Sequence, residues 1–334
     1  MIFVVGNSRS GTTMMGRILG RHPDIFTFGE LHFFEQIASA KQLAIYSDLS
    51  NHDSIGLLAT LFSIQRDGFL AIRNPDKFKK EAKALLNSYQ GKKDFAGLFK
   101  AFLLSESDKH GKKIPCEQTP RNIFYLKEIF YLYPNAKVIN MIRDPRDVLL
   151  SQKNKWKRRF LGAKTIPIKE AFRSWINYHP ITIAMLWNAS IRTASRFEHE
   201  SRIISVRFED ILGQPEVEIN RVCEFLGVKY QLAILDVPQI GSSLGNDHPE
   251  KKGINATATG GWRKGGLSST EIALCQWVSA KWMGKWYITN PVQINWLSMG
   301  IYVANFPIKI LFALLFNLGR TRNLIQTIHR RLNV

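Results

Sequence analysis

MIFVVGNSRSGTT, residues 1–13, says more about the architecture of this chain than any other stretch. Ile2 to Val5 form a short, apolar and largely β-branched run, which predicts a buried strand. Gly6 to Gly11 follow as a loop, and apolar residues recur at helical spacing from Thr12 onward. A strand, a glycine-flanked loop and a helix in this order present backbone N–H groups and a helix N-terminus to a phosphate.

The loop differs at one position from the ATP- and GTP-binding loop G-x-x-x-x-G-K-[ST], in which a Lys follows the second Gly. Thr12 stands at that position here. The chain therefore lacks the side chain that serves the terminal phosphates of a magnesium-bound triphosphate. We expect a different phosphate-bearing ligand and no metal ion. The alternative is a P-loop kinase-like nucleotide phosphotransferase, which predicts magnesium-dependent ATP binding.

The composition is that of a globular protein with a strong positive charge. The 334 residues are 45% hydrophobic and 22% charged, and the formal charge is +19. Such an excess favours anionic partners such as nucleotides, sulfated or phosphorylated substrates, or anionic lipid. No nucleic-acid-binding module is evident, so we expect no nucleic acid partner. The three widely spaced cysteines fit neither a metal site nor a disulfide framework, which favours a reducing, cytoplasmic location.

The order of predicted elements indicates an α/β fold, with a P-loop-type parallel sheet flanked by helices. Further strands are predicted at residues 25–28, 137–142 and 202–206. Residues 33–110 are predicted to be a helical insertion, and Asp236 to Lys264 a long functional or mobile loop. We expect a catalytic domain over residues 1–290, followed by a basic, apolar C-terminal tail over residues 291–334.

A second phosphate site is predicted where the strand at 137–142 ends. Arg143 stands at its carboxyl end, where open α/β sheets bind ligands, and Ser151 lies two turns into the next helix. Asp144 is placed to cap that helix and Pro145 suits its first turn. An Arg and a Ser in this arrangement can hold a phosphate. The alternative is that Arg143 only pairs with Asp147 and that Ser151 faces solvent.

These motifs, in this order, resemble those of the sulfotransferases that use 3′-phosphoadenosine 5′-phosphosulfate (PAPS). The resemblance is closest to the branch with the tyrosylprotein and bacterial enzymes, and it covers about residues 1–280. Two motifs carry it first, the R-S-G-T-T of residues 9–13 and the pair Arg143 and Ser151. The others are HPD at 22–24, GE at 29–30, TP at 119–120, RDPRD at 143–147, VRFEDIL at 206–212 and GWRKG at 261–265.

The resemblance implies transfer of a sulfuryl group from PAPS to the hydroxyl of a carbohydrate, a lipid or a small molecule. By residue, it implies that Glu30 is the general base and that Arg9 stabilises the sulfuryl group in transfer. The same resemblance implies a cofactor-binding set: Arg9, Ser10, Gly11, Thr12 and Thr13 at the 5′-phosphosulfate, Arg143 and Ser151 at the 3′-phosphate, Phe208 beside the adenine, and Arg263 and Lys264 in a closing loop.

Three points of the catalytic site stay open. Glu30 has a structural alternative as a surface or capping carboxylate, and His32 is an alternative base. The family usually has a Lys just before T-P, where this chain has Gln118. Arg9 or Arg121 is the candidate replacement for that charge. If neither supplies it, the alternative is a catalytically degenerate PAPS-binding protein.

The C-terminal tail has an apolar stretch, Trp296 to Phe316, between basic residues, and no acidic residue follows Glu271. The stretch is long enough to cross a bilayer, but Asn305, Pro307 and Lys309 interrupt it. We expect an interfacial or re-entrant helix pair at an anionic membrane surface, hence a cytoplasmic protein peripheral to a membrane. The alternatives are a helix packed on the catalytic domain or on a second subunit, and a true span.

Overall fold

The computed structural model describes residues 1–38, 42–43, 47–69, 71, 74–161, 166–240, 247–255 and 259–317. A five-stranded parallel sheet flanked by helices forms the framework, which confirms the predicted α/β fold. Its strand order is β2-β3-β1-β4-β5. The strands are β1 (Ile2–Gly6), β2 (Ile25–Thr27), β3 (Ile114–Glu117), β4 (Lys137–Ile142) and β5 (Ile203–Arg207). Ile2 of β1 lies opposite Cys116 of β3, and Ile25 of β2 lies opposite Ile114.

The described helices lie between and after these strands. They are α1 (Thr12–Gly20), α2 (Asn51–Asp67), α3 (Lys79–Ser88), α4 (Phe95–Lys109), α5 (Leu126–Leu132), α6 (Pro145–Lys153), α7 (Ile168–Ile176), α8 (Pro180–Ser195), α9 (Phe208–Gly213), α10 (Pro215–Leu226), α11 (Ser269–Met283) and α12 (Trp296–Asn317). Shorter helical turns are a π-helix at Phe33–Ile37 and 3₁₀ turns at Pro75–Phe78, Pro120–Tyr125, Lys155–Phe160, Leu232–Leu235 and Gly261–Lys264.

The chain divides into two compact units. The first unit comprises residues 1–5 and 12–139, and the second comprises residues 6–11 and 140–334. In the first unit the predicted insertion folds as α2, α3 and α4, and Phe33 stacks on Phe99 with ring centroids 3.9 Å apart. In the second unit, α8 contributes the fully buried Trp187 to a cluster of buried hydrophobic residues. The phosphate-loop segment, residues 6–11, belongs to the second unit.

Local sequence explains where the site-bearing elements begin. All five residues of β1 are buried, as expected for a strand covered on both faces. Asp144 caps α6, because its carboxylate accepts the backbone N–H of Arg146 at 2.9 Å. Pro145 takes the first helical position, where a missing N–H costs nothing. The strand-to-helix turn after β4 is therefore specified by its own residues.

Strand β3 was not predicted from the sequence. It has only four residues, Ile-Pro-Cys-Glu, and Pro115 and Glu117 obscure the apolar pattern. It nevertheless pairs with both β1 and β2. Residues 236–264 also differ from the expected loop, because β6 (Pro238–Gln239) and β7 (His248–Lys252) form an antiparallel pair there. Residues 241–246 and 256–258 of that predicted loop lie outside the described residues.

The expected helix pair in the tail is wrong for the described residues. Trp296–Asn317 is one continuous helix of 22 residues, α12, with Pro307 inside it. Its length and mean hydropathy of 1.8 would allow it to cross a membrane, and none of its residues is fully buried. Residues 318–334 of the predicted tail lie outside the described residues.

Candidate active site

The loop after β1 packs closely against its neighbours in the second unit. Gly6 has a φ of 142°, and a Cβ there would lie 2.4 Å from the carbonyl oxygen of Met141 in β4. Gly11 has a φ of 94°, and a Cβ there would lie 2.4 Å from Cδ2 of Phe208. Both positions therefore require glycine. Arg9 itself adopts a left-handed conformation with a φ of 73°.

The loop and the end of β4 are joined by side-chain contacts. Arg9 Nε donates a hydrogen bond to Ser151 Oγ at 2.8 Å, and Arg143 Nη1 donates one to the carbonyl oxygen of Arg9 at 3.3 Å. Ser151 is 4% exposed, so the alternative that it faces solvent is wrong. The structure thus brings Arg9, Arg143 and Ser151 together within the second unit.

Arg143 is held in place from several sides. Its guanidinium carbon lies 4.3 Å from the centre of the Phe208 ring, a cation–π distance. Its carbonyl oxygen accepts the indole N–H of Trp187 at 2.9 Å. Burial lowers the pKa of Arg143, and the nearby carboxylates of Asp147 and Glu209 oppose that effect. Since a guanidinium stays protonated in proteins, Arg143 is a fixed positive charge beside the loop.

Ser10 is the loop residue that is best suited to a bound anion. It is fully buried, and its Oγ has no hydrogen-bond partner among the described residues. A buried hydroxyl without a partner costs free energy unless a ligand or water supplies one. Together with the glycine-shaped backbone, this hydroxyl fits a phosphate-bearing ligand.

Asp147 connects α6 to the GWRKG segment. This contact was not predicted from the sequence. Its carboxylate accepts the backbone N–H groups of Gly260 at 2.9 Å and Trp262 at 3.0 Å. Burial raises the pKa of Asp147, while Arg143 and these two hydrogen bonds oppose the shift. Asp147 is therefore not simply the ion-pair partner of Arg143. The sequence signal was limited to an acidic residue in the first turn of a helix.

Arg263 and Lys264 lie in the 3₁₀ turn that Asp147 anchors. Both line a cavity of about 730 Å³ in the second unit, together with Asp147 and Arg207. The guanidinium of Arg263 lies 4.6 Å from the ring centre of Trp262. The cavity volume falls within the usual range for small-ligand sites, about 300–1,000 Å³.

The first unit holds the predicted general base. The Glu30 side chain is 42% exposed, and its Oε2 lies 3.1 Å from Nε2 of His32. On its other side, Nδ1 of His32 lies 3.7 Å from Oε2 of the buried Glu35. Burial opposes the charged imidazole, but the hydrogen bond with Glu30 and the nearby carboxylate of Glu35 outweigh it and raise the pKa of His32. His32 thus bridges two carboxylates.

Glu117, at the end of β3, holds the backbone next to Glu30 and was not predicted to have a role. It is fully buried and accepts hydrogen bonds from Leu31 N at 3.2 Å, Thr119 N at 3.1 Å and Asn122 Nδ2 at 2.6 Å. Burial raises the pKa of Glu117 to about 7, and the hydrogen bonds from Thr119 and Leu31 oppose that shift. Its position in an unpredicted strand hid this contact from sequence analysis.

The two candidates for the missing lysine charge are both engaged. Arg121 Nη1 donates to both oxygens of Glu35, at 2.9 and 3.0 Å. Arg9 contacts Ser151 in the second unit. Gln118 is 9% exposed and packs under α1, where a Cβ on Gly16 would lie 2.9 Å from its Oε1. Gln118 is thus enclosed by its own unit.

The predicted site residues therefore fall into two groups. Arg9, Ser10, Gly11, Arg143, Ser151, Phe208, Arg263 and Lys264 lie in the second unit; Thr12, Thr13 and Glu30 lie in the first. Thr12 and Thr13 begin α1, directly after the loop, and Thr12 is 3% exposed. Over the residues that the structure describes, no group of three or more His, Cys, Asp or Glu side chains is arranged to hold a metal ion.

Comparison with known proteins gives a consistent picture. A family model described as "Sulfotransferase family" matches residues 2–231. A putative protein-tyrosine sulfotransferase of Caenorhabditis briggsae is 27% identical over 274 residues, which are 78% of this chain and 80% of that protein. Carbohydrate sulfotransferase 4 of Mus musculus is 24% identical over 267 residues, 69% of this chain and 66% of that protein.

Comparison with a solved structure bears only on the fold. The sulfotransferase domain of the Synechococcus PCC 7002 olefin synthase superposes with a TM-score of 0.52 at 19% identity. The superposition covers 87% of this chain and 95% of that domain.

Proposed function

This chain belongs to the sulfotransferase family, and from that membership we propose that it transfers a sulfuryl group from PAPS to an acceptor hydroxyl. Membership sets aside the kinase-like alternative. The donor, the acceptor and the residue roles below are parts of the proposal.

The hydrogen bond between Arg9 and Ser151, at 2.8 Å, carries the proposal. Arg9 belongs to the loop proposed for the 5′-phosphosulfate, and Ser151 to the pair proposed for the 3′-phosphate. In PAPS a single ribose separates these two groups, so the residues that hold them must be neighbours. Arg143, which contacts the Arg9 carbonyl at 3.3 Å, extends the same cluster.

The residues of this chain have distinct proposed tasks. PAPS, when bound, supplies the activated sulfuryl group. Backbone N–H groups of the loop and the Arg9 guanidinium stabilise negative charge on the sulfuryl oxygens, an effect typically worth about 2.7–4 kcal/mol for one donor. Thr12 or Thr13 donates a hydrogen bond to the leaving phosphate oxygen.

Glu30 is the proposed general base that accepts the proton of the acceptor hydroxyl. Its side chain is 42% exposed and therefore accessible to an acceptor. The contact with His32 at 3.1 Å fixes the orientation of the carboxylate. His32 itself is 9% exposed and lies between two carboxylates, which favours a positioning role over that of the alternative base.

For the acceptor we propose a hydroxyl on a carbohydrate, a lipid or a small molecule. The two relatives are described by their names as acting on protein tyrosine and on carbohydrate. Both of those acceptors present a hydroxyl, which is the feature that a carboxylate base requires.

Transfer of labelled sulfate from PAPS into a cell extract tests this function. We expect a labelled product with the wild-type chain and none with Glu30→Gln, which should still bind 3′-phosphoadenosine 5′-phosphate (PAP). If the wild type binds PAP but labels no acceptor, the degenerate binding protein suggested by Gln118 is favoured. Retained turnover in Glu30→Gln would dismiss Glu30 as the base.

A further inference from the structure

Helix α12 has the polarity of a lipid-facing helix. Its one charged residue, Lys309, is partly buried, as are Tyr302 and Phe306, which share the same helical face. The opposite face is apolar and exposed to solvent. The most exposed large side chains of α12 are all apolar: Trp296, Leu297, Ile301, Ile308, Leu311 and Leu315.

Polar contacts fix α12 along the surface of the second unit. His179 Nε2 donates to the Tyr302 carbonyl at 3.1 Å, and Arg173 Nε donates to the Phe316 carbonyl at 3.1 Å. The Lys309 ammonium lies 4.9 Å from the ring centre of Trp175. From Tyr302 to Phe316 the helix rises by about 21 Å, so these contacts hold it along most of its length.

Neighbouring segments continue the exposed apolar surface. Helix α7, which packs against α12, exposes Ile168, Phe172 and Trp175 at the i, i+4, i+7 spacing of one helical face. The 3₁₀ turn Lys155–Phe160 packs against α7 and exposes Phe160 together with Lys155 and Lys157. We call the exposed side chains of this turn, α7 and α12 the α7/α12 face.

We propose that the α7/α12 face binds the surface of an anionic membrane, with α12 lying in the plane of the lipid headgroups. Exposed aromatic and aliphatic side chains beside lysines are typical of interfacial helices. The exposed charged side chains of this face are Lys155, Lys157 and Lys169, all of them cationic. A second copy packed through the same face would place like charges together, whereas anionic headgroups complement them.

The fixed contacts favour an in-plane helix over a spanning one. Arg173 and His179 are bonded to carbonyl groups of α12 at positions far apart along it. If α12 crossed the hydrocarbon, these polar side chains and the chain around them would be drawn to membrane depth, at high cost. An in-plane helix keeps them at the headgroup level. The proposal concerns binding alone and does not depend on the proposed reaction.

Vesicle flotation of the full chain tests the binding. We expect more protein on vesicles of phosphatidylcholine with phosphatidylglycerol than on phosphatidylcholine alone, with a loss of binding as salt rises. The double variant Ile308→Glu/Leu315→Glu should lower the partition coefficient between lipid and water by at least about tenfold. Two apolar side chains that contact the lipid are replaced there by charged ones. Val217→Glu is the matched control, since Val217 is 60% exposed on α10.

Three results would overturn the proposal. One is equal binding by the wild type and the double variant. Another is a lipid-free dimer that the double variant dissociates while vesicle binding stays unchanged, which would assign the face to a second copy. The third concerns the orientation of α12 and uses a fluorescent dye attached to the thiol of Ile308→Cys. The three native thiols are buried and should not react with the dye. We expect a quencher at the bilayer centre to reduce the fluorescence less than a quencher at the headgroup level does. The reverse order would indicate a spanning helix.

Discussion

Replacement of Arg143 by Gln is expected to reduce the preference of this chain for a nucleotide that carries a 3′-phosphate over one that lacks it. The guanidinium is fixed by the Phe208 ring at 4.3 Å and by the Arg9 carbonyl at 3.3 Å, so it is already oriented before ligand binds. A hydrogen bond to a charged group contributes about 1.5–3 kcal/mol. That range corresponds to a loss of about 10- to 150-fold in affinity, since 1.4 kcal/mol is tenfold.

Isothermal titration calorimetry with two nucleotides separates this effect from general damage. PAP carries the 3′-phosphate and AMP does not. The dissociation constant of AMP divided by that of PAP therefore reports on the 3′-phosphate contact. We expect Arg143→Gln to reduce that ratio by the factor above while the affinity for AMP changes little. Ser151→Ala should reduce the same ratio by a smaller factor, because it removes a neutral donor.

Arg221→Gln is the matched control, because Arg221 is an arginine of α10 that contacts Glu218 rather than the loop. It should leave both affinities unchanged. If Arg143→Gln weakens PAP and AMP by the same factor and melts like the wild type, Arg143 does not hold the 3′-phosphate. The reasoning from the Arg9 cluster would then be refuted.

Three further predictions concern the loop, the anchored turn and His32. Gly11→Ala should abolish measurable PAP binding in calorimetry and lower the free energy of unfolding by about 1–3 kcal/mol, because φ is 94° and a Cβ would collide with Phe208. Unchanged binding would mean that the loop geometry is not needed. Asp147→Ala should speed trypsin cleavage after Arg263 at least about tenfold, since two backbone hydrogen bonds are lost. Equal cleavage rates would show that Asp147 does not anchor the turn. The raised pKa of His32 should stabilise the fold below pH 6.5, a contribution lost as pH rises through that raised pKa. Urea unfolding of His32→Asn, which tolerates the φ of 52°, should show a flatter dependence on pH above 6.5, and an identical dependence would contradict the assignment.

The fold was largely predictable because its framework is encoded locally. The apolar run Ile2 to Val5, the flanking glycines and the helical spacing after Thr12 each specify one element. The Asp144-Pro145 pair does the same for the turn after β4. Strand β3 was missed because a four-residue strand with Pro115 and Glu117 has no clear apolar period.

Residues of the candidate site could be proposed from the sequence where residue types are informative, but the long-range contacts between them could not. Arg143 and Ser151 stand out by their place after a strand, yet the hydrogen bond from Arg9 to Ser151 spans 142 positions. The contact of Asp147 with Gly260 spans 113. No local pattern encodes such a pair, because tertiary packing alone decides which partner a carboxylate meets.

The tail shows the same limit. Asn305, Pro307 and Lys309 suggested an interruption, but the helix continues through all three residues. Lys309 packs on Trp175 of α7, so its charge is accommodated by the body of the protein. The sequence shows that the apolar stretch contains a charged residue, but it cannot show that this charge packs on the ring of Trp175.

A crystal structure of the chain with PAP tests the central claim most directly. We predict that the 3′-phosphate accepts hydrogen bonds from Arg143 and Ser151, while the 5′-phosphate accepts backbone N–H groups of the loop that contains Arg9. A nucleotide bound with its 3′-phosphate away from both residues, or with its 5′-phosphate away from the loop, would contradict it.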